Sequence, residues 1–183
     1  MRKILILICA LVAFSMAGTL KDSRDGKTYK TVKIGDQVWM AENLNYKTSE
    51  SKCYDNKESN CKKYGRLYTW EAAKKACPDG WHLPTDFGGD LLDEIDDGHD
   101  SRNLRAGSWD NGGDKYGFSA LPAGYYYSYG KEFRGLGRTA YFWGSDDCID
   151  GVCILEIHGD SVIINEYGVG EDGFVVSVRC QKD

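Results

Sequence analysis

Cys77-Pro78-Asp79-Gly80-Trp81-His82-Leu83-Pro84-Thr85 is the stretch on which the fold turns. Pro78 cannot continue a helix, and Pro84 pushes Leu83 into an extended conformation. On the N-terminal side, Thr69 is a plausible N-cap with Glu71 placed for the helix dipole. Trp70, Ala73 and Cys77 then fall at i, i+3 and i+7, one face of a short helix that Pro78 ends. On the C-terminal side, Thr85 is positioned to cap a second helix carrying Leu91, Leu92 and Ile95, with Gly88 and Gly89 weakening its first turns. The stretch is therefore expected to be the junction between two helices.

Outward from the junction, the chain alternates. Val32 and Ile34 share a face, Gly35-Asp36 makes a hairpin turn, and Gln37-Val38-Trp39-Met40 resumes, giving antiparallel strands over 28–34 and 37–41. Residues 18–27 read as a loose polar lead-in, and 42–63 as a polar excursion around Cys53 and Cys61. In the tyrosine run, alternation sends Tyr125, Tyr127 and Tyr129 to one face. Tyr141-Phe142-Trp143 begins another strand. Val152 to Ile157 and Val162 to Ile164 follow across the Gly159-Asp160-Ser161 turn. In the last strand, 174–180, Phe174, Val176, Val178 and Cys180 share a face. No repeat, low-complexity segment or linker divides residues 18–183, which read as one domain.

Residues 1–17 read as a secretory signal peptide: Arg2 and Lys3, an apolar run from Ile4 to Ala13, then Ser15-Met16-Ala17. The run is shorter than the roughly 20 apolar residues that span a bilayer. Cys9 lies too early in it for a lipoprotein cleavage site, which makes a lipid anchor the second choice. The expected destination is secreted or the outer cell surface, with no transmembrane segment. Loss of Arg2 and Lys3 takes the net charge from −5 to −7. An acidic chain without a basic cluster excludes nucleic acid and anionic membranes as natural partners.

Cleavage leaves six cysteines, Cys53, Cys61, Cys77, Cys148, Cys153 and Cys180, read as three disulfides in an exported protein. Spacing alone allows about 15 pairings. Proximity suggests Cys53 with Cys61 and Cys148 with Cys153, which leaves Cys77 with Cys180. Cys180 lies on the core side of the last strand, where a helix bearing Cys77 packs. In the chain-entropy account the long bridge contributes about 4.7 kcal/mol and each short one about 2–2.6 kcal/mol. No CxxC supports zinc. The acidic runs Asp93 to Asp100 and Asp146 to Gly151 fail the EF-hand pattern. Ile95 and Leu104 occupy ligand positions in the first, and Ile157 in the second. No cofactor or metal site is expected from motifs, and calcium in a site of another type is left open by acidic density alone.

A longer set of motifs resembles the Fibrobacter succinogenes major paralogous domain. They are Asp22 to Tyr29, Ile34-Gly35, Gln37 to Tyr46, Tyr64 to Trp70, Cys77 to Thr85, Gly117 to Gly124, Tyr141-Phe142-Trp143 and Ser177-Val178-Arg179-Cys180. That family of exported bacterial proteins is in turn similar to the C-type-lectin-like and sulfatase-modifying-factor folds. The resemblance implies an α+β fold, two helices packed on a small twisted antiparallel sheet with long disulfide-pinned loops. It also supports the Cys77–Cys180 bridge. Neither function carries over. The sugar-binding Glu-Pro-Asn, Gln-Pro-Asp and Trp-Asn-Asp motifs of calcium-dependent lectins are absent, Trp109-Asp110-Asn111 having the wrong order. No reactive cysteine pair of the formylglycine-generating kind can be placed.

For chemistry, His82, His99 and His158 are scattered, and HExxH, GxSxG and phosphate-cradling loops are missing. His82 reads as a structural hydrogen bonder. The expectation is a non-catalytic binding protein for a polysaccharide or an envelope protein. Trp109, Tyr125, Tyr127 and Tyr129 would stack on sugar rings, and Asp110, Asn111 and Asp114 would bond hydroxyls. The working surface is expected in the loops between 107 and 151. A structural role in the envelope is the first alternative, a polysaccharide-active enzyme the second. The oligomeric state is left open.

Overall fold

The computed structural model describes residues 18–85, 87–93, 100–145, 152–167 and 173–183. The signal-peptide reading of 1–17, Cys148, His99 and most of both acidic runs lie outside the described residues. Thirteen strands in four sheets and two short helices make up the described chain. This corrects the α+β expectation of two helices packed on one sheet: the fold is dominated by strands.

In chain order, β1 (Gly18–Lys21), β2 (Thr28–Ile34) and β3 (Gln37–Met40) form an antiparallel meander. The β2–β3 turn is the expected tight one. Ile34 pairs with Gln37, and Gly35 at φ +56° adopts a conformation that costs glycine little. The first four residues of the lead-in expected to be loose, Gly18–Lys21, are instead strand β1, while 22–27 form a turn. The β1 backbone pairs with the edge of β2, a register that polar side chains do not advertise.

β4 (Ser51–Lys52) pairs with β5 (Leu67–Tyr68) across an excursion that holds α1 (Glu58–Tyr64). That excursion was expected to be an exposed loop. It is organised because Cys53 and Cys61 turn inward, bonded at a Cα separation of 4.9 Å, and Tyr54 is buried beside Leu67 and Val175.

α2 is Trp70–Ala73, with Thr69 Oγ1 accepting from the Ala72 amide at 3.2 Å. It is a single turn rather than a helix reaching Cys77. Past Lys74 the backbone tightens, with the amides of Lys75 and Ala76 bonding three residues back to Ala72 and Ala73. The Arg24 guanidinium takes the carbonyls of Ala76 and Cys77 at 2.8 and 3.3 Å. A helix this short does not hold itself. The Thr69 cap is worth about 1 kcal/mol, less than the 1.5–3 kcal/mol gained by burying a large apolar side chain such as Trp70.

After the turn, the chain forms β6 (Trp81–His82), and the described part of the expected second helix is a π-type turn, Gly88–Leu92, Ile95 lying outside the described residues. Two glycines weaken that turn, and the burial of Leu91 and Leu92 favours it.

β7 (Tyr125–Tyr127) and β8 (Glu132–Arg134) form a hairpin, to which β12 (Phe174–Val175) is added. β9 (Thr139–Trp143), β10 (Val152–His158) and β11 (Ser161–Tyr167) form a third sheet. Alternation along β10 serves two cores. Cys153, Leu155 and Ile157 join Trp39, Phe118 and Phe142 on one side, while Val152 and Ile154 join Met40, Tyr68, Val176 and Val178 on the other.

The terminal segment binds all four sheets. β12 lies beside β7, the amides of Val176 and Tyr68 exchange hydrogen bonds, and Ser177 bonds both Tyr141 and Trp143. Val178 and Cys180 accept from Leu44 and Met40. β13 (Gln181–Lys182) then sits between β3 and β6. Cys77 is disulfide-bonded to Cys180 at a Cα separation of 5.8 Å. The junction stretch is thus an edge strand fastened to the segment that passes through every sheet.

Candidate functional site

The structure divides the residues singled out from the sequence into two groups on opposite faces of the β9–β10–β11 sheet. Trp109 turns inward. It is 4% exposed and packs with Leu155, Ile157 and Val162 in the first core. Asp110 and Asn111 stay exposed at the adjoining turn, Asn111 at φ +55°. The Asp114 carboxylate accepts from the Ser119 amide at 2.7 Å and from the Ser119 hydroxyl. Its oxygens brace the loop between 114 and 119.

The tyrosines occupy the other face. Alternation along β7 puts Tyr125 and Tyr127 on one side and Tyr126 on the other, where Tyr126 packs against Phe133 at 4.8 Å. Directly paired residues share a face. Tyr127 pairs with Phe174 and with Glu132, and Tyr125 with Arg134. Phe174 thus joins the tyrosine side, and its half-buried ring also packs against the second core, on the side the sequence assigns to it.

The rings make a continuous row. Tyr129 to Tyr127 is 5.7 Å, Tyr127 to Phe174 5.9 Å, Phe174 to Tyr125 5.4 Å, and Tyr125 to Tyr141 5.0 Å. Tyr129 is 63% exposed, yet its position is built. Its ring lies so close to Gly173 that an added Cβ would stand 2.9 Å from it, and the Ser128 amide bonds the Gly173 carbonyl at 2.7 Å. Gly173 sits at φ +64°, where a side chain would also strain the backbone.

Beyond Tyr141 the row ends in a polar cluster on β10 and β11. The Tyr141 hydroxyl donates to Glu156 Oε1 at 2.6 Å, Asn165 Nδ2 donates to Glu156 Oε2 at 2.9 Å, and His158 Nε2 lies 3.7 Å from Oε1. Glu156, His158 and Asn165 carry no motif in the sequence, since only the β10–β11 register brings them together. The alternation of 152–158 was the signal that placed Glu156 and His158 on one side.

A concavity of about 480 Å³ lies beside the junction stretch, lined by Trp70, Lys74, Trp81, His82, Thr85 and Ser145. Its charged groups are already engaged. Lys74 Nζ bonds Glu71 at 2.7 Å, and His82 Nδ1 lies 2.6 Å from Asp183 Oδ1. His82 thus has the structural hydrogen-bond role its place in a turn suggested. Cys53, Glu58 and Cys61 bring potential metal ligands together, but the two thiols are consumed in a disulfide. Cys153 is also disulfide-bonded, and its expected partner Cys148 lies outside the described residues.

A family model, the Fibrobacter succinogenes major domain, matches residues 32–182. The chain belongs to that family. No curated protein and no solved structure matches it. The lectin-like architecture inferred alongside the family is not the one observed, since the family domain here is a set of small sheets around its terminal segment. Among the described residues, no helix is long and apolar enough to cross a membrane. The Cys53–Cys61 and Cys77–Cys180 disulfides fit folding in an oxidising compartment.

Proposed function

We propose that this protein is a non-catalytic binding module, secreted or displayed at the outer cell surface, that holds a polysaccharide on the tyrosine face of β7 and β12. One observation carries the reading. An exposed tyrosine, Tyr129, is fixed on Gly173 at the head of a row of aromatic rings. An exposed ring usually loses conformational freedom when a ligand arrives. A ring already held in place gives its contact area at a smaller entropic cost. Tyrosine suits sugars because its apolar ring meets C–H faces while its hydroxyl meets water or ligand oxygens.

The surrounding groups support binding over catalysis. Asp114 and His82 are committed to bonds within the fold. Asp110 and Asn111 lie at the turn beside Trp109, whose side chain packs on the opposite face of β10 from Tyr141 and Glu156. The ligand surface is accordingly Tyr125, Tyr127 and Tyr129 with Phe174.

Affinity electrophoresis of the full chain through polysaccharide gels is the test. Retardation that is weakened in Tyr127→Ala and Tyr129→Ala is expected. Capture of an envelope protein with no glycan retention would replace this reading with the structural one, and turnover of any polysaccharide would replace it with the enzymatic one.

A further inference from the structure

Resting on the glycan reading above, we infer that the ligand is a single uncharged polysaccharide chain, lying along one track from Tyr129 on the β7 hairpin to Ile163 on β11, and not the flat face of a crystalline polymer. Three observations converge on it.

The first is the shape of the aromatic row. A crystalline face presents many sugar rings in one plane, and a protein that grips it needs coplanar aromatic rings. Here successive rings are turned by 86° between Tyr127 and Tyr129, 56° between Tyr127 and Phe174, 49° between Phe174 and Tyr125, and 68° between Tyr125 and Tyr141. No plane touches them all. A single chain rotates about its glycosidic bonds and meets Tyr129 and the half-buried edges of Tyr127, Phe174 and Tyr125 at different tilts, while Tyr141 is buried beneath the far end of the row.

The second is where the apolar surface is left open. Tyr129 and Ile163 are the large hydrophobic side chains most exposed among the described residues, at 63% and 40%. They stand at the two ends of one strip. Ile163 pairs directly with Glu156, and Glu156 with Tyr141, so all three share a face, and Tyr141 is the last ring of the row. The strip therefore crosses from one sheet to the next without changing side.

The third is its charge. Arg134 bonds the Glu132 carboxylate beside Tyr127. The Glu156 carboxylate receives the Tyr141 hydroxyl and the Asn165 amide, with His158 alongside. Each charge on the strip has an internal partner, so a charged ligand would gain little there. Glu156 still has work available. An ionised carboxylate offers about four acceptor positions, and the two bonds given above occupy two. The others suit sugar hydroxyls, with the carboxylate already oriented by its donors.

The test runs the full chain by affinity electrophoresis in soluble mixed-linkage β-glucan and in polygalacturonate, with sedimentation on microcrystalline cellulose. Retardation by the β-glucan alone is expected. Tyr129→Ala and Ile163→Ser, both at exposed positions, should each weaken it about tenfold while leaving the far-ultraviolet circular dichroism and the urea unfolding midpoint unchanged. Ile163→Ser should have no effect on a short oligosaccharide that Tyr129→Ala still weakens, because a short chain does not span the track. Sedimentation with cellulose but no retardation by β-glucan would overturn this inference and leave the glycan reading standing. Retardation by polygalacturonate alone would overturn the uncharged ligand. Retardation indifferent to both substitutions would overturn the track, and no interaction with any of the three polymers would overturn the inference and the glycan reading together.

Discussion

Arg179 is a cation sealed in the centre of the protein, held by neutral oxygens and ring faces. Its Nε donates to Asn43 Oδ1 at 2.9 Å, its Nη1 to the Phe118 carbonyl, and its Nη2 to the Ser119 carbonyl at 2.8 Å. The guanidinium carbon lies 4.5 Å from the Phe118 centroid and 5.1 Å from that of Phe142. Burial pushes its pKa down to about 9, which leaves it charged at neutral pH. Desolvating an ion costs several kcal/mol. Three charge-assisted bonds at about 1.5–3 kcal/mol each, with two ring contacts, offset that cost. Arg179→Ala empties the space and strands three buried acceptors, so a loss of about 3–5 kcal/mol is expected. Arg179→Lys should also destabilise, because an ammonium lacks the planar fork that reaches all three oxygens. Urea midpoints at constant m-value check both. The sequence marked Ser177 to Cys180 as a motif, yet Arg179's partners lie 136, 61 and 60 residues away, beyond any local pattern. Asp22 is the opposite case. It is fully buried, and the Arg24 side-chain hydrogen bonds hold its carboxyl below the usual range. A carboxyl depressed in the folded state contributes stability that is complete above its unfolded value, near 3.8, and is lost as pH falls through the folded value. Acid titration of the unfolding midpoint should therefore fall below about pH 4, and Asp22→Asn should flatten that fall while costing about 1–3 kcal/mol at neutral pH.

Among the elements, the strands were easier to read than the helices, for a physical reason. The β2–β3 hairpin and β10 each carry their own alternation and turn residues, which local sequence displays, whereas Tyr141-Phe142-Trp143 ends β9 and does not begin it. α2 carries a cap and an apolar face, but its length is set by Arg24 capturing the Ala76 and Cys77 carbonyls and by the tether to Cys180. Those are distant facts. The candidate site divides along the same line. Tyr125 and Tyr127 were placed on one face by alternation, whereas Trp109 goes to the core and Glu156 joins Asn165 through a register no short window contains. The Cys53–Cys61 and Cys77–Cys180 bridges act on different scales. Closing 103 residues of sequence separation with Cys77–Cys180 restricts the unfolded chain by about 4.7 kcal/mol, against about 2.5 kcal/mol for the 8 residues between Cys53 and Cys61. Replacing Cys77 and Cys180 with serine should thus destabilise about twice as much as the same change at Cys53 and Cys61, by thermal unfolding of each pair. Equal losses would mean that the short bridge acts through the packing of Tyr54 and Leu67 instead of through chain entropy.

At the scale of the whole molecule, the three sheets of two or three strands would be expected to open separately from the five-stranded one, since sheets that small are marginal alone. Here one buried segment is a partner in every sheet. Val176 exchanges backbone bonds with Tyr68 of β5, Ser177 with β9, and Cys180 accepts from Met40 of β3, while β12 and β13 complete the sheets at either end. Val176, Ser177, Val178, Arg179 and Cys180 are all fully buried. Opening any one sheet completely therefore requires withdrawing this segment, which loosens the others. Native-state hydrogen exchange should show the amides of Met40, Leu44, Tyr68, Trp143, Val176 and Ser177 exchanging last and with one common free energy, equal to that of global unfolding. Hydrogen bonds at the rim, such as that of Lys131 to Ser128, should open far more easily. Val178→Ala, at a site with no exposure in the second core, should lower all six protected amides by the same amount, in the range of about 1–3 kcal/mol. A lowering confined to Leu44 and its neighbours would show that the sheets unfold independently and that the terminal segment joins them without coupling them.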